Sequence, residues 1–148
     1  MIVVDANIAV KWVLPEELTD RALAIYADAT RAGEQLIAPS LLVTESINAI
    51  FQHIRRGVIE EVLAIAAVGE FQQFLTNGVD IVTPSWLATE AFAFAREHAL
   101  GAIYDSLYVV LARQLGATLW TADRRLVNTV AVWAPWVRWL GEYESTTG

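Results

Sequence analysis

Four carboxylates are spaced along the chain so that a fold could bring them together to do chemistry. Asp5 ends a short apolar run at the start of the sequence, and Asp123 ends a second apolar run near its end. Glu45 and Asp105 each interrupt an apolar stretch near the start of a predicted helix. Hard oxygen ligands of this kind suit Mg²⁺ or Mn²⁺, and two such ions in an acidic cluster can hydrolyse a phosphodiester bond.

A simpler explanation exists for each of these residues taken alone. Asp5 and Asp123 could cap the helices that follow them, and Glu45 and Asp105 could be stabilised by the positive end of a helix dipole. The dense apolar neighbours of Asp105, and less strongly those of Glu45, instead predict burial, and a buried carboxylate needs a partner or a metal. We therefore expect the four side chains to form one acidic site.

The elements that must position these residues alternate between strand and helix. Apolar runs predict strands at residues 2–5, 35–38, 79–82 and 118–122, and a last one at 136–140. Helical spacing with Gly or Pro stops predicts helices at residues 7–14, 16–32, 41–56, 59–76, 83–100 and 102–115, and a short one from residue 124. This order predicts an α/β fold with a parallel sheet covered on both faces, whose strand ends gather at one edge. We expect a single domain at residues 1–141 and a short frayed tail at 142–148.

The composition limits the class of protein. The 148 residues are 55% hydrophobic, carry a net charge of -7 and include no cysteine. The negative charge argues against a passive nucleic-acid binder, but it allows an enzyme whose acidic pocket is neutralised by metal. The longest uncharged stretch, residues 126–137, falls well short of the ~20 apolar residues of a membrane span, and no signal peptide is recognisable. We expect a cytoplasmic protein whose surplus apolar residues form an interface with a second copy or a partner.

Four segments, in order, resemble those of a PIN domain: Ile-Val-Val-Asp-Ala-Asn, Thr-Glu-Ser-Ile-Asn-Ala, Tyr-Asp-Ser-Leu-Tyr-Val-Val-Leu-Ala and Leu-Trp-Thr-Ala-Asp-Arg-Arg-Leu. More narrowly, the chain is similar to the toxins of VapBC toxin–antitoxin pairs. The resemblance implies a three-layer α/β/α sandwich on a central, mostly parallel sheet of four to five strands. It puts the family's acidic positions on Asp5, Glu45, Asp105 and Asp123.

The resemblance also implies how these residues act. Asp5, Asp105 and Asp123 would hold Mg²⁺ or Mn²⁺ most directly, and Glu45 would act through water. Two polar neighbours of the strand-end aspartates would orient the ligands by hydrogen bonds; they are Asn7 and Thr121.

The implied activity is that of a metal-dependent endoribonuclease, the toxin of a type II toxin–antitoxin pair. Its partners would be an RNA substrate, a second copy in a homodimer, and a VapB-type antitoxin that blocks the acidic pocket. The candidate RNA contacts are Arg124, Arg125 and Lys11. Among the tryptophans, Trp12 is the candidate for stacking on a base. Glu16 and His53 are predicted to lie on solvated helix surfaces.

Two other classes of protein stay open. An aspartyl phosphotransferase also carries an aspartate after its first strand. It usually has a second aspartate where this chain has Asn7, and a lysine late in the chain, whereas Lys11 is the only lysine here. A non-catalytic regulator could keep the pocket to bind metal or a partner, and turnover would separate it from the enzyme.

Overall fold

The computed structural model describes residues 1–145 and contains a five-stranded sheet whose strands all run parallel. The strands are β1 (Ile2–Val4), β2 (Leu36–Pro39), β3 (Val79–Val82), β4 (Thr118–Thr121) and β5 (Val137–Trp139). Their order across the sheet is β3-β2-β1-β4-β5, so β1 lies at the centre between β2 and β4. The predicted parallel sheet is confirmed.

The helices complete the expected α/β/α sandwich. In the described residues they are α1 (Ala6–Ala9), α2 (Thr19–Ala32), α3 (Leu41–Arg55), α4 (Glu61–Gly78), α5 (Leu87–Glu97), α6 (Tyr104–Leu115) and α7 (Arg124–Val130). Short 3₁₀ helices follow α1 and β5, at Val10–Trp12 and Leu140–Glu142. The two consecutive helices predicted between the second and third strands are present as α3 and α4. Within residues 1–145, no helix combines the length and the apolar character needed to cross a bilayer.

Several helix ends differ from the prediction: α1 ends at Ala9 instead of residue 14, and α5 begins at Leu87 instead of residue 83. Two further differences have a reason in the backbone geometry. α2 begins at Thr19 instead of residue 16, because the Thr19 hydroxyl accepts a hydrogen bond from the Glu16 amide across a turn. Leu18, just before the helix, has a left-handed φ of 66°. α5 ends at Glu97 instead of residue 100, since Ala99 has a φ of 51°, which a right-handed helix does not allow.

The core is built around β1, whose three residues are buried. Trp12 belongs to this core and is 5% exposed. Its Nε1 donates to the carbonyl of Ala22 at 3.0 Å, and its ring centroid lies 5.4 Å from those of Tyr26 and Phe74. The stacking role suggested for Trp12 is wrong, because its ring lies inside the protein.

The segment after β5 is anchored, whereas the sequence predicts fraying from residue 142. The Tyr143 hydroxyl donates to Asp28 Oδ2 at 2.9 Å, and the Ser145 hydroxyl donates to the same oxygen at 3.0 Å. Arg21 Nη1 donates to the Tyr143 carbonyl at 2.8 Å. These contacts hold the chain up to residue 145 against α2, and residues 146–148 lie outside the described part of the chain.

Candidate active site

Asp5 follows β1 directly, at the carboxyl edge of the sheet, and is 5% exposed. Its Oδ1 accepts from the Ile8 amide at 3.1 Å, so Asp5 does cap α1. Burial raises the pKa of Asp5 to about 7; hydrogen bonds from Thr121, Ile8 and Asn7 oppose this rise, and the charge of Asp105 adds to it. Capping therefore satisfies one oxygen, but among residues 1–145 no cationic side chain pairs with the charge of Asp5.

Asn7 and Thr121 tie the end of β1 to the end of β4. Asn7 Oδ1 accepts from the Ala122 amide at 2.7 Å, and Asn7 Nδ2 donates to Thr121 Oγ1 at 3.4 Å. Thr121 Oγ1 also accepts from the Asp123 amide at 2.9 Å. The parallel pairing of β1 with β4 brings these two strand ends side by side. Both residues that are predicted to orient the aspartates thus lie between Asp5 and Asp123.

Asp123 caps α7 with Oδ1, which accepts from the amides of Arg125 and Leu126 at 2.8 Å and 3.1 Å. Asp105 lies in the first turn of α6 and is exposed. The predicted burial of Asp105 is wrong, because the buried part of α6 begins only at Ser106. Partial removal of the Asp105 carboxyl from water, and then the charge of Asp123, raise the pKa of Asp105. Asp105 therefore interacts electrostatically with both strand-end aspartates, Asp5 and Asp123.

Glu45 lies in the second turn of α3, beyond the first turn in which the helix dipole would stabilise its charge. The buried Tyr108 of α6 donates its hydroxyl to Glu45 Oε2 at 2.6 Å. Burial raises the pKa of Glu45, the hydrogen bond from Tyr108 lowers it, and the charge of Asp105 raises it. Tyr108 carries no predicted role. Its spacing of three residues from Asp105, on one helix face, is the signal that could have found it.

These side chains line two clefts that meet at Asp105. The first, the acidic pocket, has a volume of about 260 Å³ and is lined by Asp5, Glu45, Asp105 and Tyr108 among others. The second, the side cleft, has a volume of about 380 Å³ and is lined by Asp105 and Asp123 among others. The four predicted carboxylates thus share one edge of the sheet, as its parallel order requires.

A fifth carboxylate, Glu16, also lines the acidic pocket. Its oxygens pair with Lys11 Nζ at 2.8 Å and with His53 Nε2 at 3.1 Å. Lys11 is only 9% exposed, so its burial and its pairing with Glu16 argue against the RNA contact that the sequence suggests. Glu16 and His53 are partly buried partners in this network, not the solvated surface residues predicted.

The two arginines that follow Asp123 lie in different surroundings. The guanidinium carbon of Arg124 is 4.2 Å from the ring centroid of Trp139. Arg125 lines the side cleft. Both arginines are exposed, so both are accessible to the phosphates of a nucleic acid.

The donor set at this edge fits a hard divalent cation. Asp5, Asp105 and Asp123 offer carboxylate oxygens, and none of them forms an ion pair with a side chain of residues 1–145. In the same part of the chain, no three His, Cys, Asp or Glu side chains are already gathered around a common ion position. A bound cation would draw the carboxylates together and offset the burial and repulsion that raise the pKa values of Asp5 and Asp105.

Comparison with known proteins gives a consistent result. The profile of the PIN domain matches residues 2–131. Ribonuclease VapC3 from Pyrobaculum aerophilum is 30% identical over 127 residues, which cover 86% of this chain and 92% of that protein.

Two solved structures share the fold. The crystal structure of PAE2754 from Pyrobaculum aerophilum superposes with a TM-score of 0.70 at 22% identity, covering 95% of this chain and 90% of that one. A toxin–antitoxin complex from Klebsiella pneumoniae gives a TM-score of 0.67 at 15% identity, covering 97% of this chain and 99% of that one. With the profile match over most of its length, and with this fold and these strand-end carboxylates, the chain belongs to the PIN-domain family.

Proposed function

We propose that this PIN-domain protein is a metal-dependent endoribonuclease and the toxin of a type II toxin–antitoxin pair. The observation that carries the proposal is the buried Asp5, which has no cationic partner among residues 1–145 and is coupled to Asp105. A buried charge without a partner destabilises a fold, and such groups cluster at functional sites. The relative named a ribonuclease supports RNA as the substrate.

Asp5, Asp105 and Asp123 would hold Mg²⁺ or Mn²⁺ where the two clefts meet. The ion would lower the pKa of a water molecule and neutralise charge on the phosphate. Asn7 and Thr121 keep the strand-end aspartates in place through their hydrogen bonds across β1 and β4.

Glu45 binds the attacking water. Tyr108 holds Glu45 Oε2, which leaves Oε1 to accept a hydrogen bond from water in the acidic pocket. As that water attacks the RNA phosphorus in line, its proton passes to Glu45 and the P–O bond on the opposite side breaks. The leaving ribose oxygen takes up a proton from solvent. Orientation of the water by Glu45 contributes to the rate by fixing the reacting geometry.

The proposed partners follow from the same surfaces. An antitoxin arginine would close the acidic pocket, since a guanidinium fits paired carboxylates bidentately, and one structural neighbour is a toxin–antitoxin complex. A homodimer would cover apolar side chains of α3, α4 and the loop between them, which are 53–67% exposed; they are Phe51, Val58, Val62, Leu63 and Ile65. A cellular RNA substrate implies action in the cytoplasm.

The contacts do not favour an aspartyl phosphotransferase. Asn7 stands where that chemistry uses a second aspartate, and its amide is engaged by Ala122 and Thr121. Lys11 is paired with Glu16. The non-catalytic regulator differs from the enzyme in turnover, so turnover is the quantity to measure.

The test is cleavage of a pool of structured cellular RNAs in Mn²⁺, in Mg²⁺ and in EDTA. Wild type, Asp5→Asn and Asp123→Asn are purified identically, beside Asp80→Asn as a matched control on an exposed position of the edge strand β3. We expect metal-dependent cutting by wild type and Asp80→Asn, and none by the two site variants.

Equal cutting by all four proteins would identify a contaminating nuclease. Absence of cutting by folded, antitoxin-free wild type, with every RNA and both metals, would reject the proposal in favour of the non-catalytic regulator.

A further inference from the structure

The two clefts that meet at Asp105 differ in size. The acidic pocket, at about 260 Å³, is smaller than the roughly 300–1,000 Å³ typical of small-molecule sites, whereas the side cleft, at about 380 Å³, falls within that range. The acidic pocket therefore suits ions, water and a phosphate group. The side cleft has room for a nucleoside.

The lining of the side cleft combines apolar and cationic groups. Leu100, Ala102 and Leu126 offer apolar surface, and Arg125 supplies the cationic side chain of the lining. A guanidinium donates two parallel hydrogen bonds to a phosphate, and apolar side chains pack against a base. This is the combination that a nucleotide requires.

Gly101 also lines the side cleft, and neither the backbone nor the packing requires a glycine there. Its φ lies outside the left-handed region that Gly33, Gly57 and Gly116 occupy. A Cβ at Gly101 would meet no atom within 4 Å. A side chain at this position would therefore fill open space at the cleft, and its absence keeps the cleft open.

Arg125 is distinguished from its neighbour Arg124 by its surroundings. The Arg124 guanidinium stacks on the ring of Trp139, whereas Arg125 lines the side cleft together with Asp105 and Asp123. A phosphate bound in the side cleft, close to these two aspartates, would therefore lie near Arg125.

We propose that the side cleft binds the nucleotide next to the scissile phosphate of a single-stranded RNA. The Arg125 guanidinium contacts the phosphate of that nucleotide, and its base lies against the apolar wall beside Gly101. The inference rests on the proposed nuclease function. The scissile phosphate then lies at Asp105, and the strand passes from the acidic pocket into the side cleft.

The test measures kcat and KM in Mn²⁺ on the labelled RNA that wild type cuts fastest in the pool. Arg125→Ala is compared with Arg56→Ala, an exposed arginine at the end of α3. Gly101→Gln is compared with Gly69→Gln, because Gly69 is exposed on α4 and a Cβ there also meets no atom within 4 Å.

We expect Arg125→Ala and Gly101→Gln each to raise KM about tenfold with a much smaller change in kcat, since both remove ground-state binding. The two controls keep the wild-type KM. Arg125→Ala should also reduce the slope of log KM against log salt concentration by about 0.7, the change expected for one lost phosphate contact on a single strand.

An unchanged KM in both cleft variants, with wild type cutting RNA, would overturn the inference and leave the nuclease function standing. An unchanged KM together with weaker inhibition by an antitoxin would assign the cleft to the antitoxin and also overturn it. If Gly101→Gln lowers the melting temperature, the KM of Arg125→Ala alone decides whether the inference holds. A wild type that cuts no RNA overturns the proposed function and this inference together.

Discussion

Two aspartates of this protein are buried to the same extent but differ in their hydrogen-bond and ion-pair partners. Asp5 and Asp28 are 5% and 6% exposed. Asp28, on α2, accepts hydrogen bonds from the Arg31 guanidinium at 2.8 Å and from the hydroxyls of Tyr143 and Ser145. Among residues 1–145, Asp5 accepts hydrogen bonds from neutral groups and forms no ion pair.

The difference in partners indicates different roles for Asp28 and Asp5. The partners of Asp28 belong to the chain, so Asp28 fastens the C-terminal segment to α2. Burial and the neighbouring Asp28 raise the pKa of Tyr143 to about 12, as expected for a hydroxyl that donates to an ionised carboxylate. In the proposed function, the charge of Asp5 pairs with a bound metal ion, because a buried charge is stable only when paired.

Exchange of each aspartate for asparagine should give the largest difference between Asp5 and Asp28. Asp5→Asn should lower kcat on RNA about 10³-fold, since a metal-dependent step loses several kcal/mol of stabilisation. Asp28→Asn should keep kcat and lower the free energy of unfolding by about 2 kcal/mol through its weakened hydrogen bonds. RNA cleavage and urea unfolding of both variants measure this. A folded Asp28→Asn protein as inactive as Asp5→Asn would erase the distinction.

The free energy of unfolding in EDTA should depend on pH differently in wild type and in Asp5→Asn. The pKa of Asp5 is about 7 in the folded protein, above its ordinary value of 3.8. Its contribution to stability is therefore fully present below pH 3.8 and is lost as the pH rises through about 7. Wild type should lose up to about 4 kcal/mol over this window relative to Asp5→Asn, because one pKa unit is about 1.4 kcal/mol.

Urea unfolding of both proteins from about pH 4 to about pH 8, the window that the two pKa values define, measures this loss. Asp28→Asn serves as the reference, since it keeps Asp5 and should follow the wild-type slope. Parallel pH curves for wild type and Asp5→Asn would show that the buried Asp5 carries no penalty.

Addition of Mn²⁺ tests whether an external cation completes the Asp5 site. At a concentration of about 100 times the dissociation constant, bound Mn²⁺ should stabilise wild type and Asp28→Asn by about 2.7 kcal/mol. Asp5→Asn should gain little, because one ligand is replaced by a neutral amide. Thermal unfolding with and without Mn²⁺ gives the answer, and equal stabilisation of all three proteins would place the ion elsewhere.

The smallest expected effect comes from two tyrosines that donate to carboxylates. Tyr108→Phe removes the 2.6 Å hydrogen bond to Glu45, and Tyr143→Phe removes the 2.9 Å bond to Asp28. Each should lower the free energy of unfolding by about 1 kcal/mol. Only Tyr108→Phe should also lower kcat, by about tenfold, because Glu45 loses its orientation. A matching loss of kcat in Tyr143→Phe would mean that both bonds act through stability alone.

Much of the architecture is predictable, because strands that are buried on both faces have continuous apolar sequences. Asp5 directly follows β1 and Asp123 comes two residues after β4, and parallel order alone brings those strand ends to one edge. The helix ends are less predictable. The turn that closes on Thr19 depends on one hydroxyl, and the end of α5 depends on one left-handed residue, Ala99.

The places of the candidate site residues in the fold are predictable from the sequence, but their surroundings are not. Asp105 lies in the expected helix turn, yet it is exposed, since the buried face of α6 starts one residue later. Tyr108 meets Glu45 across 63 residues, and Asn7 meets Ala122 across 115. No local pattern encodes such pairings.

The alternation of strands and helices is predictable from the sequence, and with it the edge at which Asp5, Glu45, Asp105 and Asp123 gather. These features follow from short-range periodicity and from the chirality of parallel connections. Tertiary packing brings the hydroxyls of Tyr143 and Ser145 to Asp28 and puts Arg125 in the lining of the side cleft. It leaves Asp5 without an ion pair among residues 1–145. Those outcomes depend on which distant side chains pack together, because burial and pairing of charge are properties of the assembled fold.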